Sequence, residues 1–177
     1  MKLYISLGYN CDPRIYIKHK LCLNKANGYN SCPFDLCITP FESLYKCIET
    51  DFQYFFDDLK LIPGGCANGR SKNDLQNKHN ITNHYNMIFN HEGSTHSHLF
   101  NNNGKNDDLF YIRNNFEKFK ERYSSRINNF RNYLREYDNI TFIIKRNGDN
   151  DNIYNLTTLT NLLKEKYNDK NINIIEI

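Results

Sequence analysis

An α/β chain, with three layers built around a mainly parallel sheet and flanking helices, is the fold class this 177-residue sequence predicts. Three stretches predict it. The opening LYISLGYNCDP at 3–13 reads as a short buried strand that stops at Gly8 and turns at once into a helix. Residues 108–138 carry Leu109, Ile112, Phe116, Phe119, Tyr123, Ile127, Phe130 and Leu134 at spacings of three and four, one apolar stripe on a long helix. The chain then closes on strand (Ile140–Lys145), helix (Leu156–Tyr167) and strand (Ile172–Ile177), a unit that demands parallel strands and a right-handed crossover. We expect the first strand at the centre of the sheet, with residue 11 at its carboxyl edge.

Taken in order, the helix after the first strand is announced by Asp12, a good N-cap, and Pro13, suited to the first helical position. It extends on an irregular apolar pattern to Leu23, and Lys25–Ser31 is loop chemistry. Cys32–Cys37 (CPFDLC) is a compact apolar segment holding one acid, Asp35. Thr39-Pro40-Phe41-Glu42 has the form of a capping box and predicts a helix to about Glu49. Asp51 is placed to cap a second short helix through Phe56. Residues 63–83 form a polar excursion with almost nothing to bury, a loop or lid. Tyr85–Phe89 returns to a strand that delivers Asn90, His91 and Glu92, and Asn101–Asp107 is a second polar loop.

The totals bound the function. One core of this size suits a single domain over residues 1–177. With Lys+Arg 23 against Asp+Glu 20 and no basic block, no nucleic-acid surface is expected. The early apolar run is too short for a secretory signal, and nothing reaches the length of a membrane span, so the expectation is a cytoplasmic chain without a membrane partner. Six cysteines then read as reduced thiols. Three Asn-x-Thr triplets, at Asn80, Asn139 and Asn155, are what Asn richness produces by chance. The apolar final strand implies either a sheet interior or a natural chain that continues past Ile177.

Cys11 is the candidate chemical centre. At a helix mouth, free N–H groups and the positive dipole end favour a thiolate, and this sheet edge is where open α/β folds place reacting groups. Asp12 opposes that, and the same residues fit a structural cysteine beneath a helix cap. Nucleophilic catalysis also needs an imidazole and a group that orients it. His91 is best placed for the first role, and Asp35 or Asn90 for the second. A rival constellation is a metal site at His91, His96 and His98, with Glu92, Cys32, Cys37 and Cys66 in possible reach. HEGSTHSH lacks the helical HExxH spacing, and no cysteine pair completes a zinc knuckle, so no metal or other cofactor is expected.

Several motifs together resemble a known family. SLGYNCDPR at 6–14, PFDL at 33–36, TPFESL at 39–44, NMIFNHE at 86–92, the FxxFKxRYxxRIxNF helix at 116–130 and the ITFI strand are similar to the putative papain-like cysteine peptidases of large DNA viruses and bacteria. The resemblance covers nearly the whole chain. It implies a nucleophile at Cys11, a histidine at His91 and a supporting acid at Asp35. The expected activity is a cysteine-dependent hydrolase acting on a peptide or small-molecule amide or ester. The alternative is a sugar- or nucleotide-handling transferase or binding module that uses the same sheet edge without covalent chemistry.

Overall fold

The structure, a computed structural model, describes residues 2–63, 79–92, 112–145 and 153–177. It is a mixed α/β chain with one parallel and one antiparallel sheet. Strands β1 (Lys2–Ser6), β5 (Asn139–Ile144) and β6 (Asn171–Glu176) form the parallel sheet in the order β1-β5-β6. Registers run from Lys2↔Asn139 to Ser6↔Ile143 and from Asn139↔Asn171 to Ile144↔Glu176. The expected strand–helix–strand ending is present, with helix α4 (Leu156–Lys166) connecting β5 to β6.

The centre of this sheet is β5, not the opening strand. Ile140 to Ile144 is buried at every position, as a parallel strand covered on both faces must be. Among the described residues β1 pairs on one side only. Tyr4 of β1 is only half-buried, whereas every residue of β5 from Ile140 to Ile144 is covered.

Alternation along the strands sends side chains to two faces. Leu3, Ile5, Ile140, Phe142, Ile144 and Ile172 face the main core, where they meet α2 (Phe41–Glu49), α3 (Glu117–Glu136) and α4. Tyr4, Ile143 and Ile175 face the other way, toward Ile17 of α1 (Asp12–His19) and Tyr29. The stripe on α3 is core: Phe119, Tyr123, Ile127, Phe130 and Leu134 are all buried, and Phe130 lies 6.3 Å from the Phe142 ring.

The antiparallel sheet joins β2 (Lys60–Pro63), β3 (His79–Thr82) and β4 (Ile88–Phe89) in sequence order. Two expectations change here. Residues 79–82 of the polar excursion form a strand whose Asn80, Ile81 and Thr82 are buried, while 64–78, where a lid was expected, lie outside the described residues. The YNMIF strand shrinks to two residues and pairs antiparallel with β3, because Asn83–Tyr85 are spent on a turn.

Other boundaries move for local reasons. Asp51 and Phe52 adopt left-handed backbone, so 51–58 is a run of turns instead of a helix. Pro40, not Thr39, is the N-cap of α2, and Thr39 Oγ1 lies 3.2 Å from Cys37 Sγ. Helix α3 begins after left-handed Asn115 and Phe116, leaving Ile112 off the stripe and 55% exposed; 108–111 lie outside the described residues. Helix α1 stops at His19, and Leu21 and Leu23 pack beyond it. No helix among the described residues is long and apolar enough to cross a membrane.

Candidate active site

The strand-to-helix turn at 7–12 is fixed on both sides. Tyr9 N–H donates to Lys145 O and Lys145 N–H to Gly8 O, each at 2.9 Å, so pairing with β5 continues past the end of β1. Thr39 N–H donates to Tyr9 O at 2.8 Å. Gly8 sits at φ +84°, and a Cβ there would lie 3.2 Å from Thr39 Cβ, so both backbone and space call for glycine.

The helix cap falls one residue earlier than the sequence implied. Cys11 is the N-cap of α1, with Asp12 and Pro13 in the first turn. Asn10 Oδ1 accepts from Asp12 N–H at 2.9 Å, and the Asp12 carboxylate takes Asn10 Nδ2 at 3.1 Å and pairs with Lys145 Nζ. Lys145 holds the Asp12 carboxyl below its ordinary value, helped by Asn10. Cys11 is thereby left half-buried at the helix mouth with its side chain unspent on capping.

His91 arrives from the other sheet. Ile38 and Ile88 exchange backbone hydrogen bonds of 2.8 Å, which ties β4 to the segment beside Gly8. The Phe89 ring packs 4.8 Å from both Phe119 and Tyr123 of α3. A turn follows in which Glu92 N–H donates to Phe89 O at 3.0 Å. Glu92 is 1% exposed, receives Arg122 Nη1 on both oxygens at 2.8 Å, and lies 3.9 Å from Arg126 Nη2. That buried pair pins the turn to α3.

The two arms converge: Cys11 Sγ lies 3.1 Å from His91 Nε2, within hydrogen-bond reach across 80 residues of sequence. The sequence offered the two residues from the ends of two strands, with the first strand's sheet expected to be mainly parallel. The structure brings them together between two sheets.

Electrostatics at the sulfur differ from the expectation of a dipole-lowered thiol. Burial pushes the Cys11 thiol above its ordinary value, Asp12 adds to this and Asp35 adds less, while a hydrogen bond from the Asn90 side chain works the other way. Asn90, weighed for holding the imidazole, thus acts on the sulfur, and its Oδ1 is buried with no partner among the described residues. A resting thiol whose proton the imidazole removes during attack fits this balance.

Asp35 is 1% exposed, and its partners are Tyr29, Cys32 and Arg14 rather than the His91 ring. Tyr29 Oη donates to its Oδ1 at 2.9 Å, Cys32 N–H donates to Oδ2 at 2.9 Å, and Arg14 Nε lies 3.8 Å away. Burial raises its carboxyl to about 6, against the pull of those donors and cations. The Arg14 guanidinium sits 4.0 Å over the Tyr29 ring and donates to Leu23 O. Asp35 thus ties α1 to the 29–35 segment.

The metal constellation finds no counterpart among the described residues, where no three His, Cys, Asp or Glu side chains are grouped to hold an ion. His96, His98 and Cys66 lie outside them. Cys32 and Cys37 are buried, and burial pushes the Cys37 thiol up to about 12.

Side chains that sequence reading passed over are those of Arg14, Tyr29, Arg122 and Arg126. The signal for the last two was present: Arg122 and Arg126 are four apart on α3 and share a face. Their acidic partner follows directly on His91.

A family model described as putative papain-like cysteine peptidase matches residues 2–176. No curated protein and no solved structure matches the chain.

Proposed function

Because the chain belongs to the putative papain-like cysteine peptidase family, we propose that it is a cysteine-dependent hydrolase that opens an amide or ester through Cys11. The observation that carries this reading is the 3.1 Å approach of Cys11 Sγ to His91 Nε2.

In the proposed reaction the sulfur attacks the carbonyl carbon while its proton passes to His91 Nε2, and the carbonyl π pair moves to oxygen. Two donors are available for that oxyanion. Asp12 N–H is taken by Asn10, Pro13 has none, and Ile15 N–H is bonded to Cys11 O, leaving Arg14 N–H in the first turn. The side-chain amide of Asn90, the residue next to His91 that pulls the Cys11 thiol down, is the second. Collapse breaks the bond to the leaving amine or alkoxide, which takes the proton back from His91. Water, deprotonated by the same imidazole, then cleaves the thioester and restores the thiol. Asp35, bonded to Tyr29, Cys32 and Arg14 and not to the ring, is the supporting acid only through space, its negative charge favouring the imidazolium that forms in each half-reaction.

The test is turnover of a panel of amides and esters by the full chain and by Cys11→Ser and His91→Ala. We expect each substitution to lower kcat by about a thousandfold or more. Unchanged turnover by Cys11→Ser on every substrate that the unmodified protein cleaves would overturn the proposal.

A further inference from the structure

A cleft of about 580 Å³ opens between the 25–31 segment and α3. Its wall carries four cations, Lys25, Lys118, Arg122 and Arg126, against one acid, Glu121, which pairs with Lys118 at 3.0 Å; the hydroxyls of Ser31 and Ser125 and the amides of Asn30 and Asn129 lie between them. The reaction proposed above assigns this cleft no part.

Three features suit it to a ligand. First, its two walls are already joined: Asn129 Nδ2 donates to Ser31 O at 2.9 Å, and Tyr133 Oη accepts from Asn30 N–H and donates to Gly28 O. A preformed rim lowers the ordering cost of binding. Second, among the described residues Arg122 meets both oxygens of Glu92 with Nη1 alone, leaving Nη2 and Nε for a second anion, and Arg122 lines the cleft with its side chain 26% exposed. A guanidinium edge with two N–H groups side by side matches a carboxylate or phosphate. Third, the cleft backs onto the candidate site through shared walls. Arg122 and Arg126 grip Glu92, next to His91, and Tyr29 donates to Asp35.

We infer that this cleft is an anion-binding subsite that seats a carboxylate or phosphate group of the ligand. As a subsite that selects substrates it rests on the hydrolase reading. As an anion site it stands on the cleft alone. The cations raise the local concentration of anionic ligands and discriminate against neutral and basic ones. Binding there must weaken as salt rises, since Lys25 and Lys118 are exposed.

Calorimetric titration of the full chain carrying Cys11→Ser tests this apart from any turnover. The probes are N-acetyl-Glu-Glu-amide, its Gln-Gln counterpart and inorganic phosphate, at low and high salt. We expect at least one anionic probe to bind tenfold or more tighter than Gln-Gln, and to weaken at high salt. A paired charge reversal, Lys25→Glu with Lys118→Glu, should abolish that preference while the thermal melt stays within a few degrees. Tight dipeptide binding identifies acidic peptides as the source of the anion, and phosphate alone identifies a phosphorylated small molecule. Equal affinity for Gln-Gln, no binding by either anion, or anion binding that survives the charge reversal overturns the inference. A catalytically inert chain with an intact cleft still passes this test, and an active hydrolase without the preference fails it.

Discussion

Glu92 and Arg122 form the clamp that sets His91 in place: one guanidinium nitrogen meets both carboxylate oxygens at 2.8 Å, with the carboxylate 1% exposed. Glu92→Gln keeps the shape and removes the charge, leaving Arg122 and the mostly buried Arg126 without their counter-ion. The expected loss is about 3 kcal/mol of stability, read by urea unfolding. Turnover should fall with it under conditions where the variant is folded, because the turn that carries the imidazole loosens. A variant as stable as the parent would show that the clamp holds nothing.

Gly8 sets the other arm. Gly8→Ala places a side chain at φ +84° and 3.2 Å from Thr39 Cβ, where the neighbouring backbone is bonded to both β5 and Thr39. We expect a loss of about 1–3 kcal/mol and slower alkylation or turnover at Cys11. Chemical unfolding together with an iodoacetamide rate measures both, and unchanged values in the two would refute the strain argument.

The Asp12 carboxylate is a brake on Cys11. It is among the causes that push the Cys11 thiol upward, second to burial. Removing the charge in Asp12→Asn should move the pH profile of iodoacetamide labelling at Cys11 toward lower pH. The profile is followed site by site by mass spectrometry. No shift would mean that Lys145 already cancels that charge, and a shift to higher pH would refute the brake outright.

Asp35 gives a pH signature. Its folded-state value of about 6 lies above the ordinary carboxyl value of 3.8. Between those limits the folded state holds more protons than the unfolded one. The group therefore favours folding fully below the lower limit and loses that contribution as pH rises through 6, about 3 kcal/mol in all. Asp35→Asn cannot titrate, so the stability gap between parent and variant should shrink from pH 4 to pH 7. Urea midpoints across that range measure it, and a constant gap would contradict the shift.

Several features of the site were legible in the residues. The strand, Gly8 and helix start put Cys11 at a helix mouth, because glycine and proline restrict the backbone locally. The spacing of Phe119, Tyr123, Ile127, Phe130 and Leu134 defined the core face of α3 for the same reason, a fixed period. The motifs around Cys11 and His91 pointed to the family whose model spans residues 2–176.

Long-range pairing decided the rest. Which strand is central depends on which run is covered on both faces, and β1 could be placed at the edge only once β5 took that position. The pattern of YNMIF reads as a strand along its whole length, but only pairing with β3 and Ile38 and packing on the rings of α3 cut it to a short antiparallel end. The 3.1 Å approach of Cys11 to His91, the charge balance at that sulfur and the clamp on Glu92 all join residues distant in the chain. Local rules fix conformation over a few residues, whereas distance and burial between separate elements are properties of the packed whole.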